Sequence, residues 1–219
     1  MRGGRAEHWV GYRENVAYPH CILAAMHDRP SEESDMARMR PDAWREFMEQ
    51  PHMGVLASLR QDGRPYTIPL WFLWEGDIAD DAHPSRNPPQ GHLWLTGTLG
   101  RVWCKQLMHD PRMSFCIEAS GPPAQHVEID GTAEAFVLPD FDIWPVSRKL
   151  AEKYVGLGEP ANDDAVDAFF ANMQTEPRML FKVTPEVWRA IDLSVYRGKR
   201  SDREHQAAHQ DAPEAQAVR

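Results

Sequence analysis

The stretch from Gly54 to Asp110 constrains the fold more than any other part of the chain. It begins Gly54-Val55-Leu56-Ala57-Ser58-Leu59, passes through Gln61-Asp62-Gly63-Arg64-Pro65, and continues as Tyr66-Thr67-Ile68-Pro69-Leu70-Trp71-Phe72-Leu73-Trp74. Two apolar runs around an Asp-Gly pair are a strong signal for a β-hairpin, because Gly readily takes the positive φ of a tight turn. After a polar loop, His92 to Thr98 reads as a third strand. It ends in Thr96-Gly97-Thr98, ahead of a basic helix start at Arg101. Backbone donors, hydroxyls and positive charge at one strand end suit a phosphate.

The remaining chain is long enough to bury a sizeable core around this stretch, and 219 residues do not require a second domain. A net charge of −9 and a pI near 5.5 argue against nucleic acid as a partner, which would need a basic face. The longest apolar run, Ile68 to Trp74, is interrupted by Pro69 and far shorter than the roughly 20 residues that cross a bilayer. Cys21, Cys104 and Cys116 are odd in number and widely spaced, so they predict neither a disulfide framework nor a zinc site. Glu7, His8 and Glu14 stand where a secretory leader would need an apolar run. A soluble, cytoplasmic protein is the expectation.

Residues 1–35 carry no helical or strand period and read as a disordered extension, or as an upstream translation artefact with Met36 as the start. An arm reaching a partner subunit through Trp9, Tyr12 and Tyr18 is the alternative. Pro41 with Trp44, Phe47 and Met48 predicts a short amphipathic helix lidding one end of a sheet, stopped by Pro51. Asp80 to Gln90 reads as a surface insertion, Arg101 to Met108 as a helix closed by Asp110-Pro111, and Met113 to Glu118 as a strand. Gly121-Pro122-Pro123 should turn into a long strand, Gln125 to Val137, with a bulge at Gly131. Between Pro145 and Gln174 the apolar period changes from two to about 3.6, which predicts two helices. Met179 to Val183 is a last strand, which Trp188 and Ile191 partly continue, and from Arg200 the composition is that of a disordered tail. His205 and His209 stand four apart there, but a metal would need a third ligand, so none is expected. The domains expected are therefore 36–199 as the folded unit, between an extension and a tail at 200–219.

The order of these motifs resembles the FMN-binding split β-barrel family related to pyridoxamine 5′-phosphate oxidase. The likeness is carried by Gly54-Val55-Leu56-Ala57-Ser58, Asp62-Gly63-Arg64-Pro65, Pro69-Leu70-Trp71-Phe72 and Leu95-Thr96. It continues in Leu107-Met108-His109-Asp110-Pro111-Arg112 and in Val127-Glu128-Ile129-Asp130-Gly131-Thr132-Ala133-Glu134, and it covers roughly residues 40 to 193. The resemblance implies a mainly β protein with peripheral helices, a split β-barrel working as a homodimer, with a flavin in a groove between subunits. It implies Thr67, Pro69, Leu70, Trp71 and Phe72 as the wall along the ring. Thr96, Gly97, Thr98 and Arg101 would meet the phosphate, and the second wall would come from the Val127–Glu134 strand and the Trp188 region of the partner. Trp103 stands where many members keep a phosphate-binding lysine, a departure that implies weaker phosphate affinity, a different cofactor or Trp103 stacked on the ring. Lys105, half a helical turn away, need not face the same ligand but is counted among the candidate cofactor contacts.

The function implied is an FMN-dependent oxidoreductase acting on a small organic molecule. The alternatives are a reductase using the deazaflavin coenzyme F-420, whose acidic tail Arg60, Arg64 and Arg101 would meet, and a non-catalytic carrier or sensor of flavin or haem. No catalytic acid or base is indicated, and His126 and Glu128 are not expected to serve as one. Vitamin B6 chemistry is not expected, because Ile191 to Arg197 lacks the Arg-x-His-type segment that contacts that substrate.

Overall fold

A computed structural model describes residues 37–119 and 124–196. The expectations for residues 1–36, for the Gly121-Pro122-Pro123 turn, for Arg197 and for the tail with its histidine pair lie outside the described residues. Helix α1 (Pro41–Glu49) opens the fold, followed by strands β1 (Gly54–Leu59), β2 (Pro65–Leu70), β3 (Phe72–Asp77) and β4 (Gln90–Thr98). Helix α2 (Val102–His109), strands β5 (Arg112–Glu118) and β6 (Gln125–Phe136), helices α3 (Trp144–Ala151) and α4 (Asp163–Met173), and strand β7 (Arg178–Asp192) complete it.

The strands form one antiparallel sheet in the order β2-β1-β5-β6-β7-β4-β3. Its two outermost strands, β2 and β3, are consecutive in sequence and separated by Trp71 alone. A sheet whose edges are joined by one residue has to curl until they meet, and the result is a split barrel with its seam at Trp71. The chain is thus mainly β with peripheral helices, as its motif order predicted.

Alternation decides which side chains fill the barrel. Along β5, Met113, Phe115 and Ile117 are buried while Arg112, Ser114, Cys116 and Glu118 face out. Leu56, Phe72, Leu93, Leu95, Val127, Ile129, Phe181 and Val183 join the same interior. Helix α1 lids one end, where Trp44 meets Trp188 edge-on at 5.3 Å and Trp188 meets Trp74 edge-on at 5.2 Å. Such contacts add roughly 0.5–1.5 kcal/mol each beyond area burial. Trp188, expected to reach across to a partner subunit, is 4% exposed inside its own barrel.

The β1–β2 hairpin turns at Gly63, where φ is +79°. Asp62 accepts from Arg64 N at 3.2 Å and from Arg64 Nε at 2.8 Å. The predicted bulge lies between Asp130 and Gly131, where the β6–β7 register shifts opposite Pro185. A Cβ at Gly131 would come within 2.3 Å of Thr184 O, so a side chain there cannot be accommodated without moving backbone. The bulge absorbs Pro185, which has no ladder N–H to offer, and β7 runs unbroken through it from Arg178 to Asp192. A short strand with a partial continuation was the sequence expectation. The expected surface insertion after β3 is likewise better anchored than its composition suggested. Ile78 and Ala82 are buried, and Arg45 holds both Ile78 O and, at 2.9 Å, Asp80.

Helices α3 and α4 pack on the outside of the barrel, where Ile143, Val146 and Leu150 bury Trp94 and Leu180 from the sheet's outer face. Glu75 fastens this layer by accepting from Lys149 Nζ at 2.6 Å and Trp94 Nε1 at 2.8 Å. Helix α3 runs into a π-helical turn, Glu152–Gly156. Tyr154 on that turn donates to His52 O at 2.7 Å and accepts from Phe72 N at 3.1 Å, stitching the helical layer to the seam.

Candidate functional site

The Pro69-Leu70-Trp71 corner, predicted as a ligand wall, borders a cavity of about 240 Å³. Leu150, Ala151, Phe169 and Met173 of the helical layer form its other side, and Met53 also lines it. Thr96 and Arg178 are its polar residues. Trp71 stands at this corner because β2 cannot continue past the seam. Its ring stacks on Tyr154 at 4.7 Å with planes 3° apart and meets Phe169 at 5.4 Å.

The polar end is built by the β4–β7 register. Leu180 lies opposite Thr96, and Arg178 opposite Thr98, so these four residues share the outer face. Thr96 Oγ1 is buried with no hydrogen-bond partner among the described residues. Arg178 Nε is also buried without one, although it lies 3.2 Å from Glu176 Oε2 in an ion pair. An unsatisfied buried donor costs about 1–3 kcal/mol, more when charged. Thr96 Oγ1 is such a group, and with the Arg178 guanidinium beside it the cavity invites an acceptor-bearing ligand. Burial makes the Arg178 guanidinium harder to charge; Glu176 offsets this and neighbouring Arg101 adds to it. Arg101, exposed at the start of α2, donates its backbone N–H to Thr98 O at 3.0 Å. Two guanidiniums that sense each other near a hydroxylated strand end favour an anion between them.

The predicted site residues divide into four groups. Pro69, Leu70, Trp71 and Thr96 line the cavity, and Thr98 and Arg101 adjoin its polar end. Phe72, Gly97 and Trp103 point the other way. Phe72 is fully buried against Phe115, at 5.9 Å, and Trp103 is 2% exposed against Phe181, at 5.4 Å. A Cβ at Gly97 would lie 2.5 Å from Trp103 Cζ2 and from Cys104 Sγ, so Gly97 makes room for the indole. The side chain of Trp103 therefore faces the core and is not in position to stack on a ring in the groove. Lys105 is exposed over a separate groove with Arg60, Gln61 and Val102, and does not line the cavity. Thr67 faces out from β2 beyond the cavity.

Arg178 and the helical wall were not foreseen. Arg178 leads an apolar strand, but only the pairing with Thr98 brings it to the polar end. Cys104, close to both guanidiniums, is inert as a nucleophile because burial pushes its thiol up to about 12. No cluster of three or more potential metal ligands occurs among the described residues. Among them, too, no helix is long and apolar enough to cross a membrane.

Comparison with known proteins places this geometry in a family. The sequence pattern of the pyridoxamine 5′-phosphate oxidase family matches residues 41–192. Among solved structures, a conserved hypothetical protein from Mycobacterium tuberculosis shares 21% identity at a TM-score of 0.51, over 71% of this chain and 86% of its own. The haem storage protein HutZ from Vibrio cholerae shares 17% identity at a TM-score of 0.50, over 70% of this chain and 96% of its own. A FAD-binding protein from Mesorhizobium loti shares 20% identity at a TM-score of 0.44, over 68% of this chain and 92% of its own. The first two similarities speak to the fold. Against proteins of curated function the sequence finds no match. The family match spans the barrel from α1 to the end of β7, and the chain belongs to the pyridoxamine 5′-phosphate oxidase family.

Proposed function

We propose that this chain is an oxidoreductase that holds FMN, its anionic end against Thr96, Thr98, Arg101 and Arg178 and its ring system beside Pro69, Leu70 and Trp71. The observation that carries this reading is the buried Thr96 Oγ1, which has no hydrogen-bond partner among the described residues, beside the half-buried Arg178 guanidinium in a cavity otherwise walled by apolar and aromatic groups. The donor set fits a phosphate. At about 240 Å³ the cavity falls below the roughly 300–1,000 Å³ of common ligand pockets, so it fits part of such a cofactor. The remaining wall belongs to a second copy of the chain. Support for a homodimer comes from the outer face of β2, β1 and β5, where Val55, 43% exposed, pairs with Pro69 on one side and Cys116 on the other.

A bound flavin would supply hydride or electron transfer to a small organic substrate. The chain's own residues bind its anionic end, orient the ring and keep water from its inner edge through Leu150, Phe169 and Met173. The deazaflavin coenzyme F-420 presents a phosphate as well, and titration separates the two.

The test is the fluorescence of FMN, and separately of the deazaflavin, on addition of purified protein. Saturable quenching of FMN is expected. Arg178→Ala should weaken it at least tenfold, about 1.4 kcal/mol, with an unchanged thermal midpoint. Quenching of the deazaflavin alone would select that cofactor, and quenching of neither would overturn both. Bound flavin that no nicotinamide donor reduces would identify a carrier.

A further inference from the structure

A second cleft, of about 550 Å³, is lined by β3, the π turn and the end of α1, and shares none of the first cavity's lining residues. The C-terminal turn of α1, Leu73 and Trp74 of β3, and Lys153 of the π turn line it. Strand β3 ends the sheet, so its other edge carries no ladder. An ordinary α-helix would continue the register of α3. The π-helical Glu152–Gly156 turn breaks it and sends Lys153 inward, and such insertions are frequent at functional sites.

Lys153 sits in an unusual place for an amine. Its Nζ donates to Met48 O at 2.9 Å and lies 3.8 Å from the centroid of the Phe72 ring. Glu49 acts on it electrostatically, yet among the described residues no carboxylate closes an ion pair with it. Burial outweighs Glu49 and pulls Lys153 down to about 7, so a large share of the amine is neutral at neutral pH. A neutral amine that gives one hydrogen to Met48 O keeps its lone pair for an electrophile. The cleft also selects for charge. Glu49 and Glu152 line it, Glu152 already ion-paired with Arg148 at 2.9 Å, and disfavour anions, while the apolar lining of Met48, Leu73, Trp74 and Leu157 fits an uncharged carbonyl compound. Trp74 lines it too, and its indole Nε1 is buried with no acceptor among the described residues.

We propose that this cleft is a covalent binding site for a small uncharged aldehyde, which Lys153 captures as an imine. The Nζ lone pair attacks the carbonyl carbon, and a carbinolamine forms. Its oxygen then leaves as water carrying the two amine protons, and a C=N bond replaces C=O. The exchange is a condensation and consumes no oxidant or reductant.

The experiment uses the purified full-length protein with propanal and cyanoborohydride, which traps the imine as a stable secondary amine read by peptide mass mapping. Lys153 should be alkylated at least tenfold faster than Lys105, Lys149 and Lys182, with a pH profile whose midpoint lies near 7. Lys153→Arg preserves donation to Met48 O but cannot form an imine, and should lose the fast phase alone. Even labelling of these four among the protein's five lysines, or a fast phase that persists in the arginine variant, would overturn the proposal and leave Lys153 as a cap for the α1 C-terminus. Flavin titration is read separately, so failure of either proposal leaves the other standing.

Discussion

Trp103→Lys places a lysine where the family resemblance implies one at the start of this helix, and the structure predicts that it damages the fold without creating a phosphate site. The indole is 2% exposed, packs on Phe181 at 5.4 Å and fills the space that Gly97 leaves open. A buried tryptophan removes roughly 150–250 Å² from water. At about 25 cal/mol per Å², that burial contributes roughly 4–6 kcal/mol. The lysine stem recovers part of this, but its ammonium enters the core unpaired and adds a desolvation cost of its own. A net loss of about 4 kcal/mol is a large part of the roughly 5–15 kcal/mol by which domains of this size are stable. Urea unfolding followed by far-UV circular dichroism measures it, with Trp103→Phe as the milder aromatic control. A lysine variant with the wild-type midpoint and tighter FMN binding would refute the placement of Trp103 in the core.

Tyr154→Phe leaves Phe72 N without its acceptor and His52 O without its donor at the seam, and should cost about 1–3 kcal/mol in the same assay. Gly131→Ala forces a methyl group to within 2.3 Å of Thr184 O, and a loss of about 1–3 kcal/mol is expected where an ordinary strand glycine would tolerate alanine. Lys153 gives stability a pH dependence. Its folded value is depressed to about 7 from an ordinary 10.5, so between these values the unfolded chain holds the proton that the folded chain lacks. Unfolding free energy should therefore rise with pH through that window, and Lys153→Met should flatten the slope in urea titrations across it. A wild-type slope in the methionine variant would show that another group carries the effect.

The elements of the barrel were legible because their signals are local. The Asp62-Gly63 turn, the alternation of β5, the apolar stripe of α1 and the change of period after Pro145 each follow from the few residues that carry them. The bulge was legible for the same reason, since a glycine inside a long strand pattern has few other uses. The candidate site was legible only in part. Pro69, Leu70, Trp71 and Thr96 reach the cavity, whereas Phe72 and Gly97 turn into the core, because neighbouring strand residues point to opposite faces and a one-residue choice reverses the assignment. On α2 the same ambiguity arises around the helix, and Lys105 and Trp103 emerge on different sides of it.

The sequence alone thus determined the kinds of element, their order and the family, since propensity, turn chemistry and period are properties of short segments. Tertiary structure alone decided that the sheet closes at Trp71, that β7 brings Arg178 beside Thr98, and that α3 and α4 wall the cavity. It also decided that a π turn drives Lys153 into a cleft on β3. These facts depend on residues tens of positions apart meeting across the sheet. Their cause is the burial and hydrogen bonding gained when the sheet closes on itself, which no short segment carries.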